Sequence, residues 1–196
     1  KRKKTKMSEL TLTAGGGGAV TEYTPPPVGE HKAILVDIIL SKGEQTKFGV
    51  KDLLFFYFEL EAKMEDGRPF LVRKKFTNSL NEKSNLYKFL TKWRGKPFEP
   101  GEEFNLRSML GVGCVLEMEE FRPDGEDKVV VYVDRARKLA KKDWIKPSGE
   151  YDGDKARERI EAKKEENNSA QPAVTVPEGT KDSFTDPGEV EDDVPF

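Results

Sequence analysis

The sequence predicts a mainly β domain of five strands, with one helix between the third and the fourth. Three observations carry that expectation. Apolar residues gather between His31 and Leu139, where five separate runs are strand-like in composition and spacing. Two Asp-Gly pairs, Asp66-Gly67 and Asp124-Gly125, fall between such runs, where tight hairpins need residues that tolerate positive φ. One stretch, residues 79–95, switches to the spacing of an amphipathic helix.

In the first run, HKAILVDIILS (31–41), Ile34, Val36, Ile38 and Leu40 share one face by alternation, and Ala33, Leu35 and Ile39 make the other face partly apolar. Such a strand belongs in the middle of a sheet or is shared between two half-sheets. A polar loop with two glycines is expected at 41–52. In LLFFYFELEA (53–62), Leu54, Phe56, Phe58 and Leu60 form one face, while Phe55, Tyr57, Glu59 and Glu61 point the other way. After the first Asp-Gly hairpin, PFLVRKKFT (69–77) turns Phe70, Val72 and Phe76 inward and sets Arg73 and Lys75 outside, beside Phe55 and Tyr57. Ser79 and Glu82 have capping-box spacing, Leu86, Phe89, Leu90 and Trp93 form the helical stripe, and Gly95 is placed to end it. A short helical turn is expected at 105–110, before Gly111. VGCVLEMEEF (112–121) and KVVVYVDRARKL (128–139) complete the set, the latter with Val129, Val131 and Val133 on one face. The order β-β-β-α-β-β is that of the OB-fold, a five-stranded Greek-key barrel with a helix between strands three and four.

The length of 196 residues fits one domain with flexible ends. Residues 1–30 contain AGGGG and TPPP and read as a flexible arm; residues 31–146 form the folded domain; residues 147–196 read as a disordered acidic tail. Within that tail, KARERIEAKKEE (155–166) allows a solvated helix but lacks an apolar stripe. Apolar residues make up 35% of the chain and charged residues 36%, so the core is small. The net charge of −2 conceals a split: residues 148–196 carry 14 acidic and 6 basic side chains, which leaves the preceding part net positive. A basic body with an acidic tail suits a polyanion binder that carries its own electrostatic competitor, and acidic tails also serve solubility. No apolar run is long enough for a membrane span and no signal peptide is visible, which points to the cytoplasm of a bacterium or a phage-infected host cell. Cys114 has no cysteine partner within the chain.

Little in the sequence favours catalysis. One His and one Cys cannot build a His/Cys metal cluster, no phosphate-loop motif is present, and the glycine run at 15–18 does not lie between a strand and a helix. Glu117, Glu119 and Glu120 read as a solvated strand face. The expectation is a binding protein with no catalytic residue, metal or cofactor. Single strands are held by positive charge along the phosphates and by aromatic rings under the bases. The outer face of strands two and three offers Phe55, Tyr57, Arg73 and Lys75; the first loop adds Lys47, Phe48 and Lys51, together with Lys42; Arg122, next to Phe121, comes from the last hairpin. These are the candidate single-stranded DNA contacts. The competing account packs Phe55 and Tyr57 beneath the N-terminal arm or a subunit interface and leaves Arg73 and Lys75 as ordinary solvated residues. Trp93 belongs to the helix stripe, Arg94 and Lys96 lie at the helix end, and Trp144 either caps the domain or stacks on a base.

The chain closes on EVEDDVPF after a long polar stretch. Asp192, Asp193, Val194, Pro195 and Phe196 combine acids with a terminal ring, a pattern suited to a partner with a small apolar pocket and a basic rim. This ending resembles the acidic, Pro-Phe-terminated tip of bacterial and phage single-stranded DNA-binding proteins, with Val194 where those tips typically have Ile. SNLYKFLTKWRGKPF (84–98) and SMLGVGCVLEM (108–118) also resemble a phage family of single-stranded DNA-binding proteins. The resemblance implies sequence-independent binding and protection of single strands during replication and recombination. It also implies recruitment of replication, recombination and repair proteins through the tip. An interaction adaptor and an RNA-binding OB module remain alternatives, and a homo-oligomer is left open.

Overall fold

The structure is a computed structural model that describes residues 24–122 and 129–170. Its five strands are β1 (Gly29–Thr46), β2 (Gly49–Lys63), β3 (Pro69–Thr77), β4 (Gly113–Phe121) and β5 (Val130–Lys138). They form one antiparallel sheet in the order β3-β2-β1-β4-β5. Helix α1 (Asn85–Arg94) lies between β3 and β4, and a longer helix, α2 (Gly153–Ala170), follows β5. Short 3-10 turns occupy Leu106–Met109 and Lys141–Asp143. The chain is mainly β, as the spacing predicts. Among the described residues no ladder joins the edge strands β3 and β5. One side chain links them: Lys74, buried on β3, donates from Nζ to the Val133 carbonyl of β5 at 2.6 Å.

Helix α1 covers one face of the sheet. Leu86, Phe89, Leu90 and Trp93 are all buried there against Leu54, Phe56, Phe58 and Leu60 of β2 and Phe70, Val72 and Phe76 of β3. Phe89 meets Phe76 with ring centroids 4.9 Å apart, and Phe76 meets Phe56 edge-on at 5.2 Å. The helix does not start on the expected capping box. Its N-cap is Ser84, whose Oγ accepts the Tyr87 N–H at 3.2 Å. Ser79 and Asn81 instead take the N–H groups of Asn81 and Lys83, a local pairing that competes with helix formation and delays its start. Gly95 ends α1 in the left-handed region at φ 74°, as expected.

Strand β1 departs from simple alternation. The β1–β2 register shifts between Leu35 and Asp37. Ala33 and Leu35 face α1 before the shift and Ile38 faces it after, so Ile34 and Ile38 do not share a face as the period predicts. The Asp37 carboxylate accepts the N–H of Ile38 at 2.8 Å, taking a backbone donor at the bulge. The expected loop at 41–52 is instead a two-stranded ribbon: Glu44 pairs with Lys51, Gln45 with Val50 and Thr46 with Gly49. Polar side chains do not end a ladder when most meet solvent and the buried pair, Ser41 and Glu44, is hydrogen-bonded to itself. The ribbon turns at Lys47-Phe48, where Thr46 Oγ1 accepts the Phe48 N–H and donates to the Gly49 carbonyl.

Behind α1 the two indoles converge on Gly113. Trp93 Nε1 donates to its carbonyl at 3.3 Å, and a Cβ on Gly113 would lie 2.6 Å from the Trp144 ring. Trp144 Nε1 donates to the Leu139 carbonyl, so this ring caps the domain. We predict that Gly113→Ala destabilises the fold by about 1–3 kcal/mol through overpacking, measured as a lower midpoint of urea unfolding.

Candidate nucleic-acid interface

The face of the sheet opposite α1 carries most of the candidate residues. Along β2 the outward row runs Lys51, Leu53, Phe55, Tyr57 and Glu59. On β3, Lys75 pairs with Phe55 and Arg73 with Tyr57. The expected juxtaposition of rings and cations on neighbouring strands is therefore present. Arg73 and Lys75 are exposed, and the Arg73 guanidinium lies 5.2 Å from the Phe55 ring centre.

The rings are not open to solvent. Phe55 is only 7% exposed and lies in a small second core with Ile39, Leu53, Ala156 and Ile160. Tyr57 is half-buried against Tyr151, with ring centroids 5.3 Å apart. The cover comes from residues 148–164, within the stretch expected to be a flexible tail. Over these residues the expectation is corrected, while 171–196 lie outside the described residues: α2 packs on β1 and β2 through Ala156 and Ile160, and the open stacking platform expected at Phe55 and Tyr57 is a covered one. The sequence signal is slight. Two apolar residues four apart, with Tyr151 one turn before, make a stripe too narrow to stand out in an 18-residue polar helix. The cause lies in the sheet. Ile39, Leu53 and Phe55 form an apolar patch that favours burial, and burying Ile160 against it contributes on the order of 1.5–3 kcal/mol.

Two carboxylates fix the cover in place. Asp37, at the β1 bulge, accepts from the Tyr151 hydroxyl and from Arg157 through the same Oδ2, each at 3.0 Å. Glu59, 2% exposed, accepts the Ser148 N–H at 2.7 Å and the Ser148 hydroxyl at 3.0 Å. Burial, followed by the nearby Asp37 carboxylate, raises the Tyr151 phenol above its ordinary value.

The ribbon tip has the opposite character. Phe48 is 56% exposed, and the ammonium groups of Lys47 and Lys51 lie 5.0 and 5.4 Å from its ring centre. Lys51 also begins the outward row of β2, so the tip continues into the edge bearing Lys75 and Arg73. Arg122 is exposed just past β4, beside the exposed Phe121; the Asp124-Gly125 hairpin lies outside the described residues. Arg94 is committed elsewhere: it pairs with Glu102 at 2.5 Å and is flanked by Phe98 and Phe104 at 4.0 and 4.9 Å. Asp192, Asp193, Val194, Pro195 and Phe196, and the arm up to residue 23, also lie outside the described residues.

The remaining sequence candidates fall into ordinary structural roles. Glu117 pairs with Arg135 at 2.9 Å and Glu119 accepts from the Tyr132 hydroxyl at 3.0 Å. No group of three or more His, Cys, Asp or Glu among the described residues is placed to hold a metal ion. Among the same residues, no helix is long and apolar enough to cross a membrane. No protein-family model matches the chain, and no curated protein matches it.

Burial holds the Cys114 thiol well above its ordinary range, so the reactive thiolate is scarce at pH 8. We predict no reaction of the native protein with a thiol reagent at pH 8 and stoichiometric labelling in denaturant. Because the Tyr151 phenol is raised, the unfolded state releases its proton first. This residue's contribution to stability is then complete below pH 10 and falls as pH rises beyond it. Tyr151→Phe is expected to flatten that alkaline fall in urea titrations between pH 9 and pH 11.

Proposed function

We propose that the protein binds single-stranded DNA without sequence preference, through an OB-type body, and belongs with the single-stranded DNA-binding proteins that its terminal peptide resembles. The observation that carries the reading is the exposed Phe48 ring with the ammonium groups of Lys47 and Lys51 close to it, on the strand that leads to the partners of Lys75 and Arg73 at the sheet edge. An isolated exposed ring costs the fold apolar contact with water and makes no core contact. A ring flanked by ammonium groups is what a nucleobase with its phosphates needs. The cations on β3 supply a rail for the backbone, and the strip has the length for a few nucleotides, at the low end of OB-domain sites.

The strand order and the helix between β3 and β4 support the partly open Greek-key barrel of the OB-fold. Two observations support that reading: β1 pairs with both β2 and β4, as a strand shared between two half-sheets would, and Lys74 of β3 hydrogen-bonds to Val133 of β5. The ribbon between β1 and β2 corresponds to the loop that OB-folds use for oligonucleotides. In this reading the acidic peptide at 189–196 recruits replication, recombination and repair proteins, and the body protects the strand.

Fluorescence anisotropy with a labelled oligo-dT and a duplex of equal length tests the proposal. Single-stranded DNA should bind more tightly than duplex, with a log–log salt slope of roughly −2 to −3 if three or four phosphates are neutralised. Phe48→Ala should weaken binding by about 1–3 kcal/mol. The pair Lys51→Ala and Lys75→Ala should weaken it and also flatten the salt slope. Equal affinity for duplex, or no loss in Phe48→Ala, would argue against the reading and favour a protein-binding body.

A further inference from the structure

We infer that residues 148–164 cover a second part of the strand-binding face, and that single-stranded DNA displaces them to reach Phe55 and Tyr57. The inference rests on the proposed strand binding and adds a cryptic section to that site. Three independent features of the cover point this way.

First, the covered surface continues the open strip in chemistry and in register. Lys51, Leu53, Phe55 and Tyr57 follow one another along the outward row of β2, and Lys75 and Arg73 stand directly beside the two rings. Phosphates that follow the cations of the β3 edge would direct their bases across the sheet onto those rings. Asp37 stands beside Tyr57 on β1 and Glu59 follows Tyr57 on β2, across the sheet from the β3 cations, where a base edge rather than a phosphate would arrive and a carboxylate can accept from an exocyclic amine.

Second, the cover is weakly built. Among the described residues Ala156 and Ile160 are the buried side chains of α2, and a solvent-open groove of about 580 Å³ runs beside them, lined by Ile39, Leu40, Leu106 and Ile160 among others. Two small-to-medium apolar side chains hold α2, against the four large ones that seat α1, so this contact buries far less apolar surface.

Third, the polar links can be exchanged. The Asp37–Arg157 pair is solvent-accessible on the arginine side, and the hydroxyls of Tyr151 and Ser148 can return to water. Once undocked, α2 loses the tertiary packing from which most helical stability in proteins comes. Departure of the cover would therefore be accompanied by its unfolding.

The two states interchange through one equilibrium, and the occupied cover reduces the apparent affinity by the fraction of molecules that are open. Hydrogen exchange of the full chain, with and without a 30-nucleotide oligo-dT, is the deciding experiment. Amides of residues 153–164 should lose protection when the oligonucleotide is bound. Ile160→Asp, which favours the open state, should bind the same oligonucleotide about tenfold more tightly than wild type, with thermal unfolding confirming that the sheet survives. If wild type binds the oligonucleotide while residues 153–164 keep or gain protection, the displaced cover is overturned and strand binding stands, confined to the ribbon and the β3 edge. If neither wild type nor Ile160→Asp binds, strand binding and the cover's role in it fall together.

Discussion

Two adjacent strands that are apolar on both faces govern this structure. Where β1 and β2 pair, Ile38, Leu54, Phe56 and Phe58 look toward α1, while Ile39, Leu53 and Phe55 look the other way. A sheet with one apolar face needs one covering layer, and a central pair with two needs two. Helix α1 supplies the first with four large side chains and a cluster of interlocked rings. The second is supplied by α2 with an alanine and an isoleucine. The asymmetry is large. One side is a packed core, and the other is an apolar patch with a light cover.

The charged groups on the light side follow from that asymmetry. A carboxylate out of contact with water costs several kcal/mol unless donors satisfy it. Glu59 is buried on the outer row of β2, and Ser148 gives it two donors. Asp37 sits at the bulge that moves it to the outer face and takes donors from the backbone of Ile38, from Tyr151 and from Arg157. The bulge and the cover are thereby connected. Without the register shift the alternation of β1 would place Asp37 toward α1, where none of the donors from residues 148–164 could reach it.

The sequence shows the heavy side clearly and the light side poorly. Period-two runs in β2 and β3 and the Leu86–Phe89–Leu90–Trp93 stripe report large side chains that repeat in register, so the α1 core and the Phe55–Lys75 and Tyr57–Arg73 neighbours follow directly. Three features escape that logic. A bulge in β1 inverts the alternation without altering composition. The ribbon at 41–52 is polar because most of its side chains meet solvent and the two buried ones, Ser41 and Glu44, satisfy each other, which imitates a loop. The stripe on α2 is two residues wide because a small patch needs no more. The rings of Phe55 and Tyr57 face outward as their period requires, and period carries no information about a distant segment that returns to cover them.

That division gives the face a consistent physical logic under the proposed strand binding. A stacking surface must be apolar enough to attract a base, yet a permanently exposed row of such rings invites aggregation and non-specific adhesion. Covering the rings with a segment that is mostly charge, anchored through carboxylates whose donors water can replace, protects the patch while keeping the barrier to exposure low. Phe48 escapes the same treatment because a lone ring between two ammonium groups is a small patch that does not associate readily with its own kind. The ammonium groups at the ribbon and the exposed Arg73 and Lys75 on β3 would attract a polyanion before any ring beneath α2 is reached. Electrostatic encounter at the ribbon and the edge strand would then come first, and contact with the covered rings second. The net positive charge of the body would contribute to the first step, and the weak packing of α2 would set the cost of the second.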